Sequence, residues 1–108
     1  MDFKDYQEKA QETAIYKEKD TVIYPALGLA NEAGEVLGKI KKVLRDKDGI
    51  FTPETNEVIG DEIGDTLWYM AALCRDLNLS LEEIAKRNLQ KLADRKARNV
   101  IQGSGDKR

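Results

Sequence analysis

Residues 27–44 (LGLANEAGEVLGKIKKVL) and 57–74 (EVIGDEIGDTLWYMAALC) both place apolar side chains at helical spacing. Each carries two carboxylates inside that pattern, Glu32 with Glu35 and Glu62 with Asp65. Residues three apart on a helix share a face. Each couplet therefore points two carboxylates the same way, from a face that would otherwise pack. Four carboxylates brought together repel one another unless a cation lies between them. A donor set made only of oxygen suits a hard divalent ion, Mg²⁺ or Mn²⁺.

One E-x-x-E couplet is ordinary on a solvated helix. Two, each flanked by glycine and apolar residues, are not. The stretch between Glu35 and Glu62 is long enough for about two turns of helix, a loop and a return. An antiparallel hairpin would thus set the couplets opposite each other. Gly28, Gly34, Gly38, Gly60 and Gly64 fall within or at the starts of these helices, where each costs about 0.5–1 kcal/mol against alanine. Close helix approach is one reason to keep them.

The rest of the chain reads as helix with no strand. A first helix is expected over about Phe3–Lys19, with Tyr6, Ala10, Thr13 or Ala14, and Ile15 as a weak inner stripe. Pro25 fits the first turn of the second helix, where its missing N–H costs nothing. That helix runs to about Leu44, with Leu29, Val36, Leu37, Ile40, Val43 and Leu44 at helical spacing. Thr52-Pro53 reads as a cap and first residue of a third helix ending near Leu77, with Asn78 suited to its end. Its inward positions would be Val58, Ile59, Ile63, Leu67, Met70 and Cys74. Ser80 with Glu83 forms a capping-box pattern before a fourth helix to about Asn99, whose apolar positions are Leu81, Ile84, Ala85, Leu89 and Leu92. Residues 1–102 read as one domain and residues 103–108 as a polar, Gly-rich tail, mobile when alone.

Composition narrows the chemistry. The 108 residues hold no histidine and a single cysteine. Zinc, haem and histidine acid–base chemistry are disfavoured, as are the Glu-x-x-His couplets of ferritin-type metal sites. An internal disulfide is impossible, and Cys74 reads as a small core residue. A net charge of −2 and a pI near 5.2 argue against a general nucleic-acid partner. No apolar run reaches membrane-spanning length, and the start MDFKDYQEKA lacks a signal peptide's apolar stretch. The expected setting is cytoplasmic. A chain this short has a thin core, so self-association is expected. Asp46-Lys47-Asp48-Gly49 imitates the opening of a calcium loop, but Ile50 and Phe51 stand where a ligand and a glycine are needed.

NEAGEV followed by DEIGDTLWY resembles the E-x-x-E, spacer, E-x-x-D motif of the MazG-like all-α nucleoside triphosphate pyrophosphohydrolases. The stretches ALGLANEAGEVLGKIKKVLRD, LSLEEIAKRNLQKLADRKARNVIQGSGD and YQEKAQETAIY extend the likeness over nearly the whole chain, to small single-domain members. Asn31 departs from it, standing where a small residue such as glycine is expected. The resemblance implies an antiparallel four-helix domain completed by homo-oligomerisation, as a dimer or a dimer of dimers. It implies conversion of NTP and water to NMP and pyrophosphate, with Glu32, Glu35, Glu62 and Asp65 as metal ligands and catalytic groups and Mg²⁺ as cofactor. Glu35 is one candidate to accept the water's proton. Asn88, Lys91 and Arg95, on one face of the fourth helix, match phosphate-contacting positions, the alternative being a solvated basic face. Lys39 could reach phosphate or pair with Glu35. Tyr69, four residues after Asp65, is a candidate for base stacking; Trp68 and Tyr16 are others, with core or interface packing as the alternative. Two other readings stay open: a non-catalytic nucleotide-binding or helical interaction module, and a hydrolase directed at diphosphates or another phosphoanhydride.

Overall fold

The computed structural model describes residues 1–108. Four α-helices follow in order, α1 (Phe3–Gln11), α2 (Ile23–Asp46), α3 (Pro53–Asp76) and α4 (Leu81–Ala97), with a 3₁₀ turn at Glu18–Asp20. No strand is present. The dominant contact is α2 against α3; α1 packs on α3, and α4 leans on α1 and, less, on α3.

Local chemistry sets the hairpin. α2 stops where Asp48 and Gly49 take left-handed φ of 53° and 71°, and the amides of Lys47 and Gly49 both donate to the Val43 carbonyl at 3.0 and 3.1 Å. α3 starts at Thr52, whose hydroxyl accepts from the Thr55 amide at 3.2 Å while its own amide donates to the Thr55 hydroxyl at 2.8 Å. Pro53 is the first helical residue. α3 ends with Asn78 at φ 58° and the Leu79 amide bonded to the Cys74 carbonyl at 2.7 Å, a Schellman closure. At α4, Ser80 accepts from the Glu83 amide at 3.2 Å, but the Glu83 carboxylate faces Lys86 at 3.7 Å rather than reaching back.

The first helix is shorter than its sequence suggests. It ends at Gln11, not Lys19, and Ile15, expected inward, is 91% exposed. The cause lies at the far end of α3. One oxygen of the Asp76 carboxylate accepts from the Tyr16 hydroxyl at 2.7 Å and from the Val22 amide at 2.9 Å. Arg75 reaches both the Tyr16 hydroxyl (2.9 Å) and Asp76 (3.1 Å). The chain turns out of helix to make these bonds. Val22 pays for them with a φ of 71°, rare and strained for a β-branched residue.

The core is small. Ala71, Cys74 and Leu81 are buried together, with Tyr6, Ala10 and Leu67 packed around them. Burial raises the Cys74 thiol pKa. Gln7 clamps the α3–α4 link, donating to the Leu79 carbonyl and accepting from the Leu81 amide, both at 2.9 Å. Many expected core positions are not covered: Leu37 and Leu44 of α2, Val58, Ile63 and Met70 of α3, and Ile84, Leu89 and Leu92 of α4 are exposed. The radius of gyration is 16.9 Å, against about 13 Å for a compact domain of this length. Apolar periodicity identified the stripes, but the single chain has too few elements to cover them.

Candidate active site

Opposite directions of α2 and α3 set the site's register. The Tyr69 ring lies against Gly28, where a Cβ would overlap it. One turn further along α2, carboxylate oxygens of Glu32, Glu62 and Asp65 lie within 4.8 Å of one another. Glu32 and Glu62 are half-buried and Asp65 is exposed. Glu35 stands outside this set, exposed on the next turn. Partial desolvation, then the charges of Asp65 and Glu62, raise the Glu32 carboxyl above its usual value. No lysine or arginine forms an ion pair with any of the four acids. The arrangement is negative, unbalanced and built from hard oxygen donors, which fits a divalent cation. The other four helix glycines meet nothing within 4 Å, so close approach explains Gly28 and not Gly34, Gly38, Gly60 or Gly64.

An aromatic wall adjoins the acids. Tyr16 stacks on Tyr24 at 5.1 Å, Tyr24 tilts towards Tyr69 at 6.2 Å, and Trp68 meets Tyr69 edge-on at 5.0 Å. The Trp68 indole donates to Thr13 at 2.8 Å. These four rings line one cavity of about 490 Å³. The Tyr69 phenol is raised in pKa, first by the neighbouring Tyr24 hydroxyl, then by burial and by the charges of Tyr24, Glu32 and Asp65. Sequence reasoning gave Tyr24 no role. Its signal was its place one turn before Gly28, on the helix face that Tyr69 covers. Asp76 was missed as well. Its signal was a carboxylate in the last turn of a helix, where the dipole disfavours it without compensation.

The candidate cations are not gathered at the acids. Lys39 makes no ion pair with Glu35 and opens on a cavity at the α2–α3 turn. Asn88, Lys91 and Arg95 do share a side of α4, but it faces the chain's own tail. Lys91 pairs with Asp106 at 2.7 Å, and Arg95 donates to the Asp106 carbonyl and lies 3.3 Å from its carboxylate. Arg95 is 5% exposed and its Nε has no partner, whereas Asn88 is exposed and Lys91 half-buried. These bonds hold the expected mobile tail against α4. α4 makes no substantial contact with α2, and neither Lys91 nor Arg95 forms an ion pair with Glu32, Glu62 or Asp65 within one chain.

Comparison with known proteins identifies the family of the chain. The model of the MazG nucleotide pyrophosphohydrolase domain matches residues 23–100, which include α2, α3 and α4. The chain belongs to the MazG family. It is also 47% identical over 109 residues to the Gene 37 protein of Mycobacterium phage L5, covering 95% of this chain and 96% of that one. No solved structure matches. Both acidic couplets lie within the MazG match, whereas α1 and the first part of the aromatic wall precede it. No helix is long and apolar enough to cross a membrane.

Proposed function

We propose that this MazG-family protein is a Mg²⁺-dependent nucleoside triphosphate pyrophosphohydrolase that clears nucleotides from the cytoplasmic pool. The observation that carries this reading is the meeting of three carboxylates within 4.8 Å with no protein cation among them. Glu32, Glu62 and Asp65 would hold the ion, with Mn²⁺ as a substitute. When bound, a divalent ion neutralises triphosphate charge and polarises a phosphoryl oxygen.

The chain's own groups do the rest. A water oxygen bonds to the α-phosphorus, the bond from that phosphorus to its bridging oxygen breaks, and pyrophosphate leaves with the bridging oxygen. Glu35, outside the packed set, is free to take the water's proton. Tyr69 offers its ring to the base and Lys39 its ammonium to phosphate. Phosphoryl transfer asks mainly for positioning and charge stabilisation, which such groups supply.

Asn88, Lys91 and Arg95 would meet the phosphates from α4 of a second copy, because α4 does not pack on α2 of its own chain. Exposed Leu37, Leu44, Leu89 and Leu92 supply the apolar faces for such a homodimer or dimer of dimers.

Hydrolysis of a nucleotide panel by the purified protein with Mg²⁺, scoring pyrophosphate, orthophosphate and monophosphate separately, tests the reading. Pyrophosphate release abolished by EDTA is expected. Orthophosphate release would replace it with a diphosphate-directed hydrolase, and binding without turnover with a nucleotide-binding module.

A further inference from the structure

Residues 103–108 have the composition of a free tail, yet they are folded. The Arg108 guanidinium donates to three carbonyls, those of Val100 at 3.0 Å, Ile101 at 2.7 Å and Gly105 at 2.7 Å. Arg98 donates to the Arg108 carbonyl at 2.7 Å. At Gly103 a Cβ would come within 2.9 Å of the Arg108 side chain, and Gly105 takes a left-handed φ of 85°. The chain beyond α4 is thus a closed loop, and it presents Asp106 to that helix.

Asp106 meets cations there. Its carboxylate lies 2.7 Å from Lys91 and 3.3 Å from Arg95, and its carbonyl accepts from Arg95 as well. The hydrogen bonds from Lys91 and then Arg95 lower the pKa of the Asp106 carboxyl and keep it charged. One carboxylate nevertheless leaves the site unsatisfied. Arg95 is buried and its Nε finds no oxygen, although buried donors are almost always partnered. A cavity of about 600 Å³ adjoins Asp106, lined also by Arg87, Asn88, Gln90 and Lys91, and Arg87 has no acidic partner. This side of α4 offers more donors than Asp106 uses, and the surplus suits an anion with more oxygens and more charge.

Resting on the reading of Asn88, Lys91 and Arg95 as phosphate contacts, we infer that Asp106 holds the place of a phosphate group in the free protein, so that the C-terminal loop is an intramolecular competitor of the triphosphate. The loop sets a threshold rather than a block. Tethered 11 residues from Arg95, the carboxylate competes at an effective concentration on the order of millimolar. A polyphosphate displaces it by bringing more charge, and its oxygens then reach the Arg95 donors that the loop covers.

The test is Asp106→Asn in the full chain, with circular dichroism to check that the helices persist. Calorimetric titration with inorganic pyrophosphate, without metal so that the carboxylate cluster takes no part, reads the site without turnover. The dissociation constant is expected to fall about two- to fivefold, the range for a partly exposed ion pair, and the KM for triphosphate to fall by the same factor. Arg108→Gln unfastens the loop while leaving every cation of α4 in place, and it should tighten pyrophosphate binding too. In a Lys91→Gln background, Asp106→Asn should bring a smaller gain, because one of the two cations it masks is gone. Weaker pyrophosphate binding in Asp106→Asn would mean that the carboxylate positions the cations instead of competing with phosphate. Unchanged binding in both loop variants, or no binding by any of these proteins, would mean that no phosphate comes to this side of α4. Each of these results overturns the inference. A protein that hydrolyses nothing yet binds pyrophosphate more tightly as Asp106→Asn would fail as an enzyme and keep the competition.

Discussion

The α2–α3 hairpin and the α4 arm are built from similar amphipathic patterns and end in very different states. The hairpin fixes its own register: caps at both ends of the turn, Tyr69 seated on Gly28, and three carboxylates brought together from two helices. The arm is fastened by its first turn, where Leu81 is buried and Gln7 clamps the link. Beyond that its apolar side is bare, with Leu89 67% exposed, and its cations are held by its own tail. A helix pair can position chemistry alone, whereas a helix attached at one end needs another surface to give its side chains a purpose.

The largest expected effect separates these two regions. Asp65→Asn, on the hairpin, should lower the rate of pyrophosphate release by about 10²–10³, the scale for removing one group that stabilises developing charge. Lys91→Gln, on the arm, should cost only about tenfold, as for one charge-assisted contact. Steady-state turnover with Mg²⁺ measures both. In thermal melts without metal, Asp65→Asn should be no less stable than wild type, because one of several like charges is gone. An Asp65→Asn protein with undiminished turnover would remove the carboxylate cluster from the mechanism.

Much of the hairpin was legible in the sequence because its signals are local. Thr52-Pro53, Asn78 and Ser80 mark the helix ends they were read to mark, and the two couplets are visible as spacing. Three of the four acids meet as that spacing suggests; Glu35 does not, and stands exposed outside the set although its separation from Glu32 equals that of Asp65 from Glu62. Residues 12–22 were not legible. Their path is set by Asp76, which is 60 positions from Tyr16 and 54 from Val22, and no window along the chain contains that bond. The bare stripes were illegible for another reason: periodicity says which side chains want cover, and nothing about what covers them. Lys91 and Arg95 have the right spacing for a phosphate and meet Asp106 instead.

Asp76 offers the next test, since it ties the aromatic wall to the hairpin. Burial would raise its carboxyl pKa, but the Val22 amide, the Tyr16 hydroxyl and Arg75 outweigh burial and hold it below the usual 3.8. The folded state then binds its proton less readily than the unfolded chain. The stability this group adds is present above the unfolded pKa and disappears as pH falls through the lower folded one. Asp76→Asn should therefore cost about 1.5–3 kcal/mol at neutral pH, and the gap to wild type should close as pH falls below 3.8. Denaturant melts over pH 2–7 measure it. A gap independent of pH would mean that shape rather than charge holds Val22 and Tyr16 in place.

The smallest effects come from a single methyl placed at two glycines, and their signs sharpen the comparison most. At Gly28 a Cβ would overlap the Tyr69 ring, so the ring must move away from α2. Such overpacking costs about 1–3 kcal/mol, partly offset by the gain of about 0.5–1 kcal/mol from replacing glycine in a helix. Gly28→Ala should thus be mildly destabilising and weaken nucleotide binding. At Gly60 the methyl meets nothing within 4 Å. In an isolated chain only the helix term remains, and Gly60→Ala should stabilise by about 0.5–1 kcal/mol. If a second copy packs a helix against this face, the methyl must instead weaken association. Sedimentation velocity across a range of concentrations distinguishes the cases, because stability coupled to assembly depends on protein concentration. A dimer loosened by Gly60→Ala would show that glycines which touch nothing within one chain are reserved for the other. A dimer left intact, with a higher melting temperature, would place the partner on the bare side of α4 instead.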